Sequence, residues 1–363
     1  MNPLNRRSLK PGERIRVLVV DDSVVIRRLV THALEQDPLI EVVGAAANGM
    51  IALQRITQFS PDVMTLDIEM PEMDGLETLR HVRRDFPQLR VIMFSTLTER
   101  GAAITLEALT LGADDYVSKA SNDGSLDRSM VRLQEELIPK IKQFFYLSAN
   151  DAAPGPQAAA PRWSPPVSQS AKLRPRVLAI GVSTGGPTAL GSILPKLPAQ
   201  FQLPVLIVQH MPPLFTRLLA ERLDSVCPLS VGEAVNGEAV HPGRILIAPG
   251  DFHLKVVSSG RDVRASLDQA PPQNSCRPAV DALLTSVAEI YGGAVVAVIL
   301  TGMGQDGLRG VEILKAQGAC ILAQDEPSSV VWGMPGAVAN AGLADRVLPL
   351  DQIVPEILRR LEG

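Results

Sequence analysis

The chain has 363 residues, of which 46% are hydrophobic, and its 35 basic and 39 acidic side chains give a net charge of −4. This length favours two domains, and the charge balance excludes a general attraction to nucleic acid or to anionic membranes. No stretch of about 18 apolar residues is present, so we expect a protein that is not membrane-embedded. Three widely separated cysteines, Cys227, Cys276 and Cys320, predict buried thiols in a reducing, cytoplasmic setting.

Apolar runs alternate with amphipathic stretches through residues 15–135. Five predicted strands separated by helical patterns indicate a parallel sheet that is covered on both faces. The predicted strands are Ile15–Val20, Ile40–Ala45, Val63–Leu66, Arg90–Phe94 and Asp115–Val117. We therefore predict a flavodoxin-like α/β domain over residues 15–135, with a last helix that could extend to residue 147.

A change of composition separates this domain from the rest of the chain. Residues 148–172 are rich in proline and alanine, which predicts a semi-extended linker. Strand and helix patterns resume in residues 173–363, and apolar runs on both sides of Ser258-Ser259-Gly260 predict an antiparallel hairpin. We predict a second, doubly wound and mostly parallel α/β domain with the strands Arg176–Ile180, Val205–Gln209, Arg244–Ile247, Ala294–Leu300 and Ala319–Ala323.

Acidic residues follow two predicted strands of the first domain. Asp21 and Asp22 close the first strand, and Asp67 closes the third. Because ligands collect at the carboxyl ends of parallel strands, we expect these carboxylates to lie together. Such a cluster needs a cation, and hard oxygen ligands suit Mg²⁺. For Asp21-Asp22 alone, a simple turn-forming role explains the pattern equally well.

Two other polar residues close later strands of the same domain. Ser95 follows the fourth strand and Lys119 follows the fifth. A carboxylate can act as a nucleophile towards a phosphoryl donor, and a hydroxyl and an ammonium group can donate hydrogen bonds to the phosphoryl oxygens. The four strand ends together therefore predict an aspartyl-phosphate site.

These motifs resemble those of the receiver domain of two-component response regulators. The matching segments are Val19–Ser23 and Leu66–Gly75, together with Ser95 and Lys119. The resemblance implies that Asp67 accepts the phosphoryl group from a sensor histidine kinase of the CheA type. It further implies a set of supporting residues: Asp22, Asp67 and the backbone carbonyl of Glu69 for Mg²⁺, Asp21 through water, Ser95 and Lys119 for the phosphoryl oxygens, and Tyr116 on the switch surface.

A serine in the second domain lies where a predicted strand turns into a predicted helix. The sequence Gly181-x-Ser183-x-Gly185 permits a tight turn that exposes the hydroxyl. Backbone N–H groups at the start of the following helix are available to a developing oxyanion. A serine hydroxyl is a weak nucleophile without a base, so the site also needs a histidine.

His210 and Asp306 follow two other predicted strands of this domain. Both lie beyond carboxyl ends, where they can converge with Ser183. His253, near the hairpin, is a rival base. The chain order Ser, His, Asp differs from the Ser, Asp, His order of α/β-hydrolases, which argues against that fold and not against a catalytic triad.

Two other functions remain open from the residues alone. Gly302-x-Gly304-x-x-Gly307 follows a strand, and Asp325 closes the next one, as in a dinucleotide-binding fingerprint. The second domain could also be a protein-docking module, which would not need Ser183. Titration of a dinucleotide against the second domain would test the first of these alternatives.

The second domain is similar to the catalytic domain of the chemotaxis protein-glutamate methylesterases of the CheB type. The matching segments are Gly181–Pro187, Gln209–Pro213, Ala248–His253 and Thr301–Gly307. The resemblance implies a phosphorylation-activated enzyme that hydrolyses glutamyl methyl esters on methyl-accepting chemoreceptors and releases methanol. Members of this family also deamidate receptor glutamines, and the esterase reaction needs no cofactor.

The same resemblance assigns roles at the serine site. It implies Ser183 as the nucleophile, His210 as the base and Asp306 as the group that orients the base. Backbone N–H groups at Thr184 and Met303 would bind the oxyanion. It also implies that the unphosphorylated receiver domain covers the catalytic cleft.

Overall fold

The computed structural model describes residues 7–96, 98–119, 126–146 and 173–362. The chain divides into two compact units, and the described residues 7–146 and 173–362 are treated separately below. The linker predicted at residues 148–172 lies outside the described residues. The domain boundaries drawn from the sequence therefore remain a prediction.

The first unit alternates strands and helices along the chain. Its elements are β1 (Arg7–Ser8), β2 (Ile15–Val20), α1 (Val24–Glu35), β3 (Ile40–Ala46), α2 (Gly49–Phe59), β4 (Val63–Asp67), α3 (Gly75–Asp85), β5 (Arg90–Ser95), α4 (Glu99–Thr110), β6 (Asp115–Ser118), α5 (Leu126–Lys142) and β7 (Phe145–Tyr146). The five strands predicted from the apolar runs are confirmed, each to within about one residue at its end.

Polar residues start the helices of the first unit at the predicted edge of the sheet. Ser23, Asn48, Asp74 and Thr98 each precede a helix and accept a hydrogen bond from the backbone N–H three residues later. Such caps satisfy donors that have no partner within the helix. The strand-to-helix turns that carry the acidic residues are thereby held in place.

The sheet of the first unit has the strand order β3-β2-β4-β5-β6, and every pair is parallel. From β2 the chain continues into β3, which lies on one side of β2, and then crosses to β4, which lies on the other side. The topological switch point is therefore between β2 and β4. Asp21 and Asp67 follow or close these two strands. The carboxyl end of the sheet therefore forms a crevice at the acidic residues, as the sequence predicts.

The end of the first unit differs from the sequence-based expectation. Helix α5 ends at Lys142, where a tight turn joins the N–H of Phe144 to the carbonyl of Ile141. Phe145–Tyr146 then pairs in parallel with Arg7–Ser8. Helix α5 thus stops at Lys142, because Phe145 and Tyr146 pair as a strand with a segment more than 130 positions earlier in the chain.

The second unit contains nine strands and six helices among its described residues. Its elements are β8 (Val177–Val182), α6 (Gly186–Ile193) with a 3₁₀ turn at Leu194–Lys196, β9 (Val205–Gln209), α7 (Pro213–Asp224), β10 (Ser230–Glu233), β11 (Arg244–Ile247), β12 (His253–Ser259), β13 (Asp262–Asp268), α8 (Val280–Tyr291), β14 (Val295–Ile299), α9 (Leu308–Ala316), β15 (Cys320–Gln324), α10 (Met334–Asn340), β16 (Arg346–Leu348) and α11 (Leu350–Glu362).

Seven of these strands form a parallel sheet in the order β10-β11-β9-β8-β14-β15-β16. Strand β8 has β9 on one side and β14 on the other, so the switch point lies at the end of β8. The hairpin β12–β13 forms a separate antiparallel sheet, as predicted. It packs on α8, where the N–H of Val256 donates to the hydroxyl of Ser286 at 3.0 Å.

Strands β10 and β16 were not predicted from the sequence. They have four and three residues, and they lie at the two edges of the sheet. Because an edge strand has only one neighbour to pack against, it does not need a long apolar run. Within the described ranges, no helix is both long enough and apolar enough to cross a membrane.

Candidate functional sites

Ser183 lies at the sharp turn between β8 and α6. Its N–H donates to the carbonyl of Thr301 at 3.0 Å, and its own carbonyl accepts from the N–H of Gly186 at 2.8 Å. Gly185 has φ of 78°, a left-handed conformation that glycine adopts without strain. The small residues around Ser183 therefore allow the strand to turn directly into the helix, as the sequence predicts.

Gly302 lies directly against the serine. A Cβ at this position would be 2.7 Å from Cβ of Ser183 and 2.6 Å from Sδ of Met334. The carboxylate of Asp325 is occupied by the N–H and hydroxyl of Ser328. Gly302 therefore has a structural role beside Ser183, and this observation counts against the nucleotide-binding alternative.

Strand register places His210 beside the serine. Val182 pairs with Gln209 across β8 and β9, so Ser183 and His210 are the next residues on adjacent strands. Nε2 of His210 lies 2.8 Å from Oδ2 of Asp306. The structure therefore brings Ser183, His210 and Asp306 to one edge of the sheet.

Asp306 is buried, and its carboxylate accepts several hydrogen bonds besides that of His210. The donors are Nδ2 of Asn274 at 3.0 Å and the backbone N–H groups of Val280, Asp281 and Gly307 at 2.6, 3.1 and 3.0 Å. Burial alone would raise the pKa of Asp306, but the hydrogen bonds from His210 and the backbone outweigh it and lower this pKa. Asp306 is therefore held as an anion.

The pKa of His210 is raised to about 9. Burial acts in the opposite direction, but the hydrogen bond to Asp306 and the contact with Cys276 outweigh burial. Because Asp306 binds Nε2, the ring atom that remains for a proton from serine is Nδ1.

No hydrogen bond joins Ser183 to His210 in the part of the chain that the structure describes. Nδ1 of His210 instead faces Sγ of Cys276 at 3.6 Å. All three cysteines are free thiols, and they are half-buried where the sequence predicts buried thiols. Catalytic hydrogen bonds commonly tighten only when substrate is bound, and Ser183 and His210 remain neighbours in the sheet.

His253 does not occupy the position of a base. Its ring is fully buried. Nδ1 accepts from the N–H of Ala279 at 3.2 Å, and Nε2 lies 3.2 Å from the carbonyl of Pro271. Since both ring nitrogens bind backbone groups, this histidine holds the hairpin against the start of α8.

The two predicted oxyanion donors are the next residue after Ser183 in the chain and the residue after Gly302, which packs against Ser183. The N–H of Met303 donates no hydrogen bond to any residue that the structure describes, and its side chain is exposed. The carbonyl of Thr184 accepts from the hydroxyl of Thr301 at 2.9 Å, which fixes the turn. The assignment of both N–H groups to the oxyanion stays a prediction.

Sequence reasoning missed the turn that carries Cys276. Gln273 and Cys276 exchange backbone hydrogen bonds of 3.1 and 2.8 Å, and Asn274 and Ser275 between them have φ of 50° and 61°. Nδ2 of Asn274 donates to Asp306 and also to Asp281. The only local signal was the Asn-Ser pair, because asparagine tolerates the left-handed conformation.

The raised pKa of His210 predicts an alkaline pH profile for any reaction in which it is the base. An imidazolium ion cannot accept a proton, so we expect kcat/KM for ester hydrolysis to rise about tenfold per pH unit towards pH 9. The folded pKa exceeds the unfolded value of about 6.5. His210 therefore stabilises the fold fully below that pH, and this contribution is lost as the pH rises through about 9.

Both effects can be measured directly. Ester hydrolysis by a Ser183→Ala variant is subtracted at each pH, and unfolding by urea is compared for the natural protein and His210→Gln. A rate that levels off near pH 7 would contradict the expected profile. The expected contribution to stability would be contradicted if His210→Gln and the natural protein showed the same pH dependence of the free energy of unfolding between pH 6.5 and 9.

The acidic site of the first unit also forms as predicted. Oxygen atoms of Asp21, Asp22 and Asp67 lie within 4.8 Å of one another. Nζ of Lys119 lies 2.8 Å from Asp21 and 2.7 Å from Asp67. Burial raises the pKa of Asp67 to about 6 against the opposing effect of Lys119, and the charge of Asp21 raises it further. Asp67 is thus a buried carboxylate with a nearby cation.

These residues fit a magnesium ion. Three carboxylates in close proximity supply hard oxygen ligands, and Asp22 is exposed to solvent. The carbonyl of Glu69 accepts no hydrogen bond from the residues described, so its lone pairs are available to an ion. The three carboxylates of the predicted donor set therefore lie at one place, and the part of the Glu69 carbonyl stays a prediction.

Ser95 and Tyr116 both have buried side chains that contact residues other than Asp67. The hydroxyl of Ser95 is buried, accepts from Thr105 at 2.6 Å and lies 3.2 Å from the carbonyl of Gly101. Tyr116 is buried beneath the ammonium of Lys140, which lies 4.9 Å from the ring centre. Burial raises the pKa of Tyr116 well above 10. The role of Ser95 in phosphate binding and that of Tyr116 on the switch surface stay predictions.

The second unit, with a serine, a histidine and an aspartate at the switch point of a parallel sheet, is typical of a serine hydrolase. A family profile for the CheB methylesterase matches residues 178–357, and one for the response regulator receiver domain matches residues 17–130. The chain belongs to the CheB methylesterase family.

Relatives of similar length share both units. A protein-glutamate methylesterase/protein-glutamine glutaminase of Trichodesmium erythraeum is 50% identical over 96% of this chain and 99% of its own length. A protein of the same name from a Nocardioides species is 53% identical over 97% of this chain and 96% of its own. The catalytic domain of Thermotoga maritima CheB methylesterase covers 52% of this chain and 99% of its own, with 46% identity and a TM-score of 0.50.

Proposed function

We propose that the chain is a phosphorylation-regulated protein-glutamate methylesterase that acts on chemoreceptors and also deamidates receptor glutamines. The observation that carries this proposal is the contact of 2.8 Å between His210 and Asp306 at the strand end next to Ser183. The relatives that match nearly the whole chain carry the name of this activity.

The reaction is acyl transfer. The hydroxyl oxygen of Ser183 attacks the ester carbonyl carbon, and its proton passes to Nδ1 of His210. Collapse of the tetrahedral intermediate breaks the bond to the methoxy oxygen, which leaves as methanol with the proton from His210. Water then hydrolyses the acyl-enzyme by the same route, which frees the receptor's glutamate side chain from Ser183. With a glutamine substrate, ammonia leaves in place of methanol.

The surrounding residues supply electrostatic stabilisation. Asp306 remains ionised and stabilises the imidazolium that forms during proton transfer. Nδ1 of His210 must release its contact with Cys276 to accept the serine proton. The N–H of Met303 is suited to bind the oxyanion, since it has no hydrogen-bond partner in the described segments.

The receiver unit supplies the regulation. We infer that Asp67 accepts a phosphoryl group from a histidine kinase of the CheA type, and that Lys119 then pairs with the added negative charge. Mg²⁺ bound by Asp22, Asp67 and the carbonyl of Glu69, with Asp21 through water, would offset charge on the phosphoryl oxygens. Ser95 would turn from Thr105 to donate to the phosphoryl group.

The decisive assay is methanol release from methylated receptors, with and without a small-molecule phosphoryl donor. We expect the donor to raise the rate of the natural protein and to leave Asp67→Asn unchanged, because the amide cannot act as the nucleophile. If the unphosphorylated receiver unit inhibits the enzyme, deletion of residues 1–147 should raise the basal rate.

A matched control for Asp67→Asn is Asp85→Asn, which removes an exposed carboxylate of the same unit. This control should respond to the donor like the natural protein. Full activation of Asp67→Asn would refute the proposed phosphorylation site. A deletion variant no more active than the unphosphorylated protein would refute inhibition by the receiver unit.

A further inference from the structure

A thiol lies against the catalytic histidine on the ring atom that the reaction uses. Sγ of Cys276 is 3.6 Å from Nδ1 of His210. Ligand atoms of His210, Cys276 and Asp306 all lie within 4.8 Å of one another. None of the catalytic roles derived above involves Cys276, so this contact calls for a separate explanation.

The distance between Sγ of Cys276 and Nδ1 of His210 matches the distance between two ligand atoms on one tetrahedral zinc ion. Zinc binds imidazole nitrogen at about 2.0–2.1 Å and thiolate sulfur at about 2.3 Å, which places the two atoms about 3.5 Å apart at the tetrahedral angle. A hydrogen bond between the sulfur and the ring nitrogen has nearly the same S···N distance. Replacement of the bridging proton by the ion therefore requires little movement of either side chain.

The other ring nitrogen has the environment of a zinc-bound histidine. Nε2 contacts the carboxylate of Asp306, and such a contact fixes the tautomer and makes the opposite nitrogen a better ligand. The carboxylate is itself held by the backbone N–H groups of Val280 and Gly307. The supporting contacts of a carboxylate–histidine–zinc arrangement are therefore already formed.

The surroundings also allow an ion to enter. Cys276 is half-buried, and the side chain of His210 keeps 12% of its surface exposed. The tight turn from Gln273 to Cys276 is closed by two backbone hydrogen bonds, which hold Cys276 in place. Water would complete the coordination of a four-coordinate ion bound to two protein ligands.

We propose that Cys276 and His210 form an inhibitory binding site for Zn²⁺ in the active site, with Asp306 as the supporting carboxylate. Binding replaces the proton of the thiol and, where His210 is an imidazolium ion, the proton on Nδ1 as well, so two protons are then released for each ion bound. Because the ion occupies Nδ1 of His210, the base cannot accept the proton of Ser183. A thiolate and an imidazole favour Zn²⁺ over Mg²⁺, so the magnesium needed by the receiver unit would not compete.

The first experiment titrates Zn²⁺ against methanol release by the full-length protein, with Mg²⁺ in constant excess. At a free Zn²⁺ concentration of ten times Kd, we expect the rate to fall about elevenfold, since one bound ion blocks one base. For Cys276→Ser, inhibition is expressed as a fraction of the rate that this variant has without metal. The variant should need at least about ten times more Zn²⁺ than the natural protein for the same fractional inhibition, because a neutral hydroxyl is a poor ligand for this ion.

The second experiment measures binding without catalysis. Co²⁺ in place of Zn²⁺ should give a thiolate charge-transfer absorption band with the natural protein, and the band should be lost in both Cys276→Ser and His210→Ala. The inhibition experiment depends on the proposed esterase activity, but this spectrum does not. Failure of the metal site and failure of the proposed function can therefore be told apart.

The chain offers matched controls in its other two cysteines. Burial raises the pKa of Cys227 and of Cys320 to about 11, so both remain protonated near neutral pH and are poor ligands. Cys227→Ser and Cys320→Ser should keep the inhibition and the absorption band. Equal inhibition of Cys276→Ser and the natural protein, or a band that survives in Cys276→Ser, would refute the site.

Discussion

Replacement of Ser183 by alanine is expected to lower kcat for methanol release by a factor on the order of 10⁶, because nucleophile and base act as one unit. The methyl group of alanine fits where the hydroxyl now makes no hydrogen bond to a described residue. The fold should therefore survive, and circular dichroism and the urea midpoint should match those of the natural protein. Single-turnover measurements should show no acyl-enzyme.

Ser225→Ala is a suitable control for this substitution. Ser225 follows helix α7 on the surface, and its hydroxyl donates to the carbonyl of Arg222. We expect this variant to keep the rate of the natural protein. If Ser183→Ala kept more than about one-hundredth of the activity, a serine nucleophile at this position would be excluded.

Asp306→Asn is expected to have the second largest effect, a fall of about 10⁴ in kcat. The amide is neutral, so it cannot stabilise the imidazolium of His210. Its NH₂ group must also face donors, since Val280, Asp281 and Gly307 all point backbone N–H groups at this side chain. We therefore expect a lower urea midpoint as well. Steady-state kinetics and urea unfolding measure the two effects separately.

The control for Asp306→Asn is Asp268→Asn. Asp268 lies on the hairpin, where it pairs with Lys255 at 2.6 Å and is more than one-third exposed. We expect its kcat to remain within about twofold of the natural value, since an exposed ion pair contributes little. An Asp306→Asn variant whose kcat lay within tenfold of the natural value would show that another group orients His210.

The pH dependence should also change in Asp306→Asn. Its hydrogen bond is among the interactions that raise the pKa of His210. Without the negative charge, burial should dominate and lower the pKa of the base. The residual activity should therefore reach its plateau at a lower pH than in the natural protein, which a merely structural role for Asp306 would not cause.

The sequence determined the fold class and most positions at both sites. Parallel strands bring their carboxyl ends to one edge, so residues that follow separate strands must meet there. This rule located Asp21, Asp67 and Lys119 in one unit, and Ser183 and His210 in the other. It needs only the strand boundaries, and apolar runs mark these boundaries clearly in a buried parallel sheet.

Only the tertiary structure excluded His253 as the base and decided which side chains surround His210. His253 is the first residue of strand β12, but its two ring nitrogens bind Ala279 and Pro271, contacts that no local pattern reveals. The thiol of Cys276 reaches His210 across 66 residues of sequence. Hydrophobic periodicity reports the faces of helices and strands. It carries no information on the contacts of a loop, because these depend on where the packed elements place its two ends.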